Sequence, residues 1–300
     1  MKFLNFGSAN IDYVYALDHI VLRGETISSE SLNLFPGGKG LNQSIALARA
    51  GVNIHHAGCI GLDGEMLMDT LKSSGVDTRY IKRVDEKSGH AIILVGKDAE
   101  NSIVLYAGAN HKIEKDQIDE VLADFDAGDV ILLQNEINNI EYIIEKAHEK
   151  GMFIVLNCAP INPNIFKLNM SLISCVILNE VEMSEITGNE DMESGFEWLL
   201  NKNPDMKIML TLGKNGCIYT DKAQRVSHPI FKVHAVDTTA AGDTFTGYFI
   251  SEMSKGKDMK DVLRVASCAS AIAVTRNGAA SSIPTYDEVE KALKTMEIAE

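Results

Sequence analysis

No Cys-x-x-Cys pair occurs in the 300 residues, and the five cysteines, Cys59, Cys158, Cys175, Cys217 and Cys268, are scattered and odd in number. That pattern argues against a disulfide framework or a zinc site and predicts reduced, buried thiols in a cytoplasmic protein. Long hydrophobic runs are missing too: no stretch reaches the ~20 apolar residues that cross a bilayer, so no membrane partner is expected. The opening Met1-Lys-Phe-Leu-Asn-Phe-Gly-Ser8 has too short an apolar run to read as a secretory signal, which leaves the glycosylation sequons at Asn42 and Asn169 without meaning. Basic clusters are lacking. Lys and Arg number 28 against 42 Asp and Glu, a formal net charge of -14, so no nucleic-acid partner is expected. An anionic substrate must then be held locally, by amides, a few cations and a metal. There is no internal repeat, no low-complexity linker and no Gly-x-x-x-x-Gly-Lys-[Ser/Thr] loop, so any phosphate binding must use a different arrangement.

At 45% hydrophobic, the chain has ample material for a core. Lys2 to Gly7 reads as a short buried strand ending in a turn. From about Tyr13 to Leu34 apolar and polar positions alternate between turn signals, predicting strands of a small, partly exposed sheet. Gly89 to Gly96 and Ser102 to Tyr106, separated by a polar turn, predict a hairpin that joins those strands as a lid. Between them lie a small-residue helix from Gln43 to Ala50, a strand from Asn53 to Gly58 and a helix from Glu65 to Ser74.

Beyond Gly108 the rhythm becomes α/β. Runs apolar on both faces at Val130 to Leu133, Phe153 to Leu156, Val176 to Leu178 and Ile208 to Leu212 are spaced by helices such as Ile140 to Lys150 and Val181 to Thr187. They imply a mostly parallel sheet covered by helices on both faces. In such sheets ligands collect beyond the strand C-termini, which singles out Asn135, Glu136, Asn157, Asn179, Glu182, Thr211 and Gly213. A single α/β domain over residues 1–300, with a lid drawn from about 12–35 and 88–107, accounts for the pattern.

Two small-residue segments stand apart. Pro36-Gly-Gly-Lys-Gly-Leu-Asn42 either brings amides and Lys39 close to a ligand or is a tightly packed turn. Asp237-Thr-Thr-Ala-Ala-Gly-Asp-Thr-Phe245 leads into a helix beginning near Gly242, whose free N–H groups form a ready anion site. Asp243 in its first turn is either a helix cap or a base; a carboxylate there would repel a phosphate, but it could take the proton of an attacking hydroxyl.

Taken in order, Gly7-Ser-Ala-Asn-Ile-Asp12, Gly37-Gly-Lys-Gly-Leu-Asn-Gln43, Gly108-Ala-Asn110, Asn179-Glu-Val-Glu182, Thr211-Leu-Gly-Lys-Asn-Gly216 and Asp237 to Phe245 resemble the ribokinase family, the phosphofructokinase-B type of ATP-dependent carbohydrate kinases. The second and last of these are most similar to its ribokinase branch. The resemblance implies a ribokinase-like three-layer sandwich with a small β-sheet lid, and transfer of phosphate from ATP to the primary hydroxyl of a pentose, D-ribose first. It implies Asp243 as the base, with amides of Ala240, Ala241, Gly242 and Asp243 as the anion hole. Asn10, Asp12, Gly38, Lys39, Asn42 and Glu136 would hold the sugar, under a floor of Ala91 and Ile93. Asn179, Thr211, Gly213 and Gly216 would hold the nucleotide, and Glu182 magnesium through water. Asp237, Thr239 and carbonyls between Val274 and Ser282 would hold potassium, and the lid would pair two copies as a homodimer. Gly61-Leu-Asp-Gly-Glu65 departs from the family's Gly-x-Asp-x-x-Gly. A nucleoside, fructose or another sugar as acceptor, and a non-catalytic sugar-binding regulator, are the alternatives the residues leave open.

Overall fold

The computed structural model describes residues 1–98 and 100–299. Its first half runs β1 (Phe3–Phe6), β2 (Asn10–Ala16), β3 (Ser31–Gly37), α1 (Lys39–Arg49), β4 (Ile54–Gly61), α2 (Glu65–Ser73), β5 (Asp77–Val84), β6 (Gly89–Val95) and β7 (Asn101–Tyr106). The second half continues α3 (Lys115–Ala123), β8 (Val130–Gln134), α4 (Ile140–Glu149), β9 (Phe153–Asn157), β10 (Cys175–Asn179), α5 (Glu180–Thr187), α6 (Met192–Lys202) and β11 (Lys207–Thr211). It closes with β12 (Cys217–Thr220), β13 (Arg225–His228), α7 (Ala241–Ser254), α8 (Met259–Ala273) and α9 (Tyr286–Ala292).

Strands buried on both faces, such as the fully buried β8, require cover on both sides, and the chain supplies it. The sheet order is β13-β12-β11-β10-β9-β8-β1-β4-β5, parallel from β5 to β11 and antiparallel only at the β12 and β13 edge. One face packs on α1, α2, α7, α8 and α9, the other on α3, α4, α5 and α6, giving the three-layer sandwich. The edge strand β5 carries too many charges, and β13 is too short and polar, for either to stand out as an apolar run, so the sequence reading passed over them.

The lid is a second sheet in the order β3-β2-β6-β7. Its strands come from the two expected stretches, but the segment from Leu17 to Glu30 is irregular, not strand. There the turn signals outweigh the alternation.

Two features of this architecture position the site. The winding reverses at β1, which pairs with β4 on one side and β8 on the other, opening a crevice past their C-terminal ends. On the face toward α1 and α7, the strands change from apolar to polar as they approach that crevice. Phe3 is followed by Asn5, Ile54 by His56, Leu132 by Gln134, Val155 by Asn157 and Ile177 by Asn179. Helices α1 and α7 also approach closely: a Cβ placed on Gly247 would lie 2.4 Å from that of Ala46.

Candidate active site

The segment before α7 sets up an exposed helix start. Ala240 adopts a left-handed conformation (φ 59°), an uncommon cost for a residue with a Cβ, and turns the chain into α7. The Ala241 amide donates to the Thr238 carbonyl (3.2 Å), whereas those of Gly242 and Asp243 have no acceptor among the described residues. Nothing would lie within 4 Å of a Cβ on Gly242, and this residue lines both of the cavities described next.

Asp243 is buried, with 7% exposure, and each oxygen accepts from a separate amide: Oδ2 from Asn42 Nδ2 (3.1 Å) and Oδ1 from Gln43 Nε2 (2.8 Å). Two donors, one per oxygen, suit a carboxylate, which offers only acceptors. With Lys39, Asn157, Glu182 and Thr246, Asp243 lines a polar cavity of about 220 Å³. A larger, mainly apolar cavity of about 640 Å³ lies alongside, lined by Gly213, Gly216, Ile230, Phe231, Val233 and Val274 among others. Thr211, Thr238 and Gly242 line both, so the start of α7 stands at their junction.

Lys39 is the cation of the polar cavity. Burial works against its charge, but the carboxylates of Asp243, Glu136 and Glu182 outweigh burial and raise its pKa. Glu136 accepts from Ser8 Oγ and from the Lys39 amide (3.1 Å). Its pKa is raised by burial, which those bonds and Lys39 only partly offset. Asp12 stands close to Glu136: burial, and then that negative neighbour, push its pKa up to about 7. A Cβ on Gly37 would lie 2.1 Å from Asp12 Oδ2, so only glycine leaves that carboxylate its place. The next residue, Gly38, takes φ 94°, which also favours glycine. Asn10 Oδ1 accepts from Asn110 Nδ2 (2.7 Å), and Ala91 pairs with Asp12 across the lid, with Ile93 two pairs further on beside Val14.

Asn179 and Glu182 form a reciprocal cap on α5: Glu182 N donates to Asn179 Oδ1 (2.8 Å) and Asn179 N to Glu182 Oε2 (2.9 Å). The cap uses Asn179 Oδ1 and Glu182 Oε2, and both residues line the polar cavity. Burial raises the Glu182 pKa against the bond from Asn179 and the attraction of Lys39. Asp237 accepts from the Thr239 amide (2.8 Å) and the Gly278 amide (2.9 Å), tying together the loops before α7 and after α8. The Val274 carbonyl is taken up by the amides of Val236 and Asp237, but those of Thr275, Arg276 and Gly278 accept no bond among the described residues.

Residues 2–286 match the family described as pfkB family carbohydrate kinase. The chain belongs to this family. A ribokinase of Haemophilus influenzae is 35% identical over 297 residues, covering 96% of this chain and 97% of that protein. Among solved structures, a ribokinase from Thermotoga maritima is 34% identical with a TM-score of 0.88, covering 98% of this chain and 100% of that one. An Arabidopsis thaliana ribokinase complexed with ribose and ATP is 29% identical with a TM-score of 0.86, covering 98% of each chain.

In this pfkB family member, the sequence-selected Lys39, Asn179, Glu182, Thr211, Ala240, Gly242 and Asp243 meet in the polar cavity, and Ala241, Gly213 and Gly216 line the larger one. Asn42 joins them through Asp243, and Glu136 through Lys39. Asn135 does not: its amide donates to the Pro160 carbonyl (2.7 Å) beside a separate surface cavity near α4. Sequence reasoning assigned no role to Ser8 or Gln43, although both lie inside matching segments. It also missed the apolar wall from Ile230 to Ala235, an irregular stretch with no periodicity to mark it. No helix among the described residues is long and apolar enough to cross a membrane.

Proposed function

We propose that this pfkB family member transfers the γ-phosphoryl group of ATP to the primary hydroxyl of a pentose, D-ribose first, giving ribose 5-phosphate. The observation that carries this reading is Asp243 beside the free amides of the α7 start, at the junction of a polar and an apolar cavity. The adenine and ribose of ATP fit the larger cavity, with Gly213 and Gly216 alongside, and the phosphates run toward Gly242. The sugar fits among Asp12, Asn10, Asn42, Lys39 and Glu136, where hydroxyls find acceptors and donors in fixed places. Asp243 takes the hydroxyl proton, while the Gly242 and Asp243 amides receive the charge that builds on the transferring group.

Glu182 would hold magnesium through water, and the ion would supply positive charge beside the phosphates. The donor set fits, because Lys39 alone faces three carboxylates while a triphosphate brings further negative charge. Asp237, the Thr239 carbonyl and the unpaired carbonyls after α8 are hard oxygen donors suited to a potassium ion that would order the α7 start. Buried free thiols at all five cysteines support a cytoplasmic setting.

An acceptor screen tests the reading. With ATP and magnesium, ribose is expected to give a higher kcat/KM than 2-deoxyribose, fructose or a nucleoside, and potassium to raise the rate; a nucleoside preferred by a wide margin would refute the choice of acceptor. If none of these acceptors raised ADP formation above the acceptor-free rate, the kinase reading itself would fail.

A pH dependence follows from Asp12. With its pKa pushed up to about 7, this carboxyl carries a proton on one oxygen below that pH in the sugar-free protein, which makes it a weaker acceptor for sugar hydroxyls. Measured kcat/KM for the sugar is expected to rise with pH through about 7, and Asp12→Asn to flatten that limb at a lower level. Stability runs the other way. A folded-state pKa raised from 3.8 to about 7 gives stability that is present in acid and lost as pH rises through 7, so the sugar-free protein melts lower in mild alkali than in mild acid. A pH-independent kcat/KM would contradict this role of Asp12.

The lid supports a homodimer. Its edge strands expose Leu32, Leu34 and Phe35 on β3 and Ile103, Val104 and Leu105 on β7, an apolar surface that a second copy would cover. Light scattering is expected to give twice the 32.8 kDa chain mass, and Leu34→Glu with Leu105→Glu to return it to the monomer value. A monomeric wild type would refute the pairing.

A further inference from the structure

Beneath the cavity, a line of fully buried polar side chains runs from Asp243 into the sheet. Gln43 Nε2 donates to Asp243 Oδ1 (2.8 Å), and Gln134 Nε2 donates to Gln43 Oε1 (2.7 Å) and to Asn5 Oδ1 (3.0 Å). Asn5 Nδ2 in turn donates to the Gly40 carbonyl (2.7 Å) and to Ser44 Oγ (2.8 Å), which contacts His56 Nδ1 (2.8 Å). The His56 ring also bonds the Gly7 carbonyl, which uses its one N–H and leaves Nδ1 to accept from Ser44. Burial, opposed by that bond, holds the His56 pKa down to about 4, so this end carries no charge near neutral pH.

The polarity of the line is fixed from both ends. A carboxylate can only accept, so Gln43 must present its nitrogen to Asp243 and its oxygen to Gln134; Gln134 must then present nitrogen to both Gln43 and Asn5. Turning over any one amide would set oxygen against oxygen or nitrogen against nitrogen. The arrangement has a visible cost: Gln134 Oε1 is buried with no partner among the described residues. A buried carbonyl left unpaired is unfavourable and calls for a reason. Here the reason is direction, because flipping Gln134 to satisfy that oxygen would remove the donor that orients Gln43. Primary amides do not shuttle protons at neutral pH, so the line orients the base and does not drain it.

We propose that Gln43, aligned by Gln134, is a positioning residue that locks the Asp243 carboxylate in the orientation needed to take the acceptor's proton. This rests on the kinase reading above. Asn42 holds the other carboxylate oxygen from the neighbouring position of α1, so removing Gln43 leaves Asp243 in place but tethered at one oxygen only.

The test is a double-substitution cycle read in single turnover, with KM for sugar and ATP measured alongside. Gln43→Met, close in shape but without the donor, is expected to slow the chemical step about 10- to 100-fold, the size of one hydrogen bond to a charged group, with both KM values nearly unchanged. Gln134→Met, which touches Gln43 and not Asp243, is expected to slow it by about 3- to 10-fold alone and by nothing further when Gln43 is already Met. The proposal is overturned if Gln43→Met turns over at the wild-type rate, if the loss falls on KM instead, or if the two effects simply multiply. Should Gln43→Met fail to fold, Gln134→Met decides alone, an unchanged single-turnover rate overturning it. Wild-type turnover is the control for the kinase reading: an inactive wild type sinks that reading and this inference together, whereas an active wild type matched by Gln43→Met sinks only the inference.

Discussion

Replacing Asp243 by Asn is expected to lower kcat about 10²- to 10⁴-fold, the usual worth of a positioned general base, while KM for the sugar changes little. The geometry makes this substitution more than a loss of charge. Asn42 and Gln43 each donate to one oxygen of Asp243, so an amide at this position must set its nitrogen against one of those donors. Asp243→Ala removes that complication and is expected to be at least as inactive. In the proposed sugar site Asp12, Lys39 and Glu136 are untouched in both variants, so calorimetric affinity for the sugar serves as the check that the pocket has survived. Turnover of either variant at the wild-type rate would mean that another group accepts the proton.

Lys39→Met is expected to have the next largest effect, a fall of about 10²- to 10³-fold in kcat/KM for ATP, the size seen when one preorganised donor to a developing charge is removed. Methionine keeps the apolar stem and removes the charge, which isolates electrostatics from packing. Without the ammonium, Asp243, Glu136 and Glu182 face an incoming triphosphate with their charge no longer offset by Lys39. The loss is expected to be partly recovered at high magnesium concentration. A fall of less than about tenfold would show that Lys39 matters to the resting protein and not to the transferring group.

Much of the fold was legible because the chain announces it locally. β8 is apolar at Val130 to Leu133 on both faces, and only a covered parallel strand accommodates that. The lid hairpin was visible in its alternation around a polar turn, and the α7 start in the small residues ahead of Asp243. What escaped had physical causes. The charged edge strand β5 carries Arg79, Lys82 and Arg83 and relies on pairing with β4 instead of burial, so its sequence resembles a loop. The apolar wall of the larger cavity comes from Ile230 to Ala235, which has no period because it forms no regular element.

The site itself was half legible. Glu182 looked like an ordinary exposed helix residue when taken alone, and its neighbours across the fold, Lys39 and Asp243, give it its setting. Gln43 and Gln134 carried no signal separately, being far apart in the chain and joined only where α1 crosses the β1–β8 crevice. A signal was nevertheless present in the strands: on one sheet face, Phe3 to Asn5, Ile54 to His56 and Leu132 to Gln134 each pass from apolar to polar within one step of the pleat. Read together, those steps mark the end of the sheet where polar chemistry is buried.

The most direct measurement is a crystal structure with ADP, magnesium, ribose and aluminium fluoride, which mimics the phosphoryl group in flight. The planar fluoride is expected to sit within about 3 Å of the Gly242 and Asp243 amides, with the sugar's primary oxygen between it and Asp243 at hydrogen-bonding distance from the carboxylate. A fluoride group bound away from the start of α7, or a primary hydroxyl turned away from Asp243, would contradict the account.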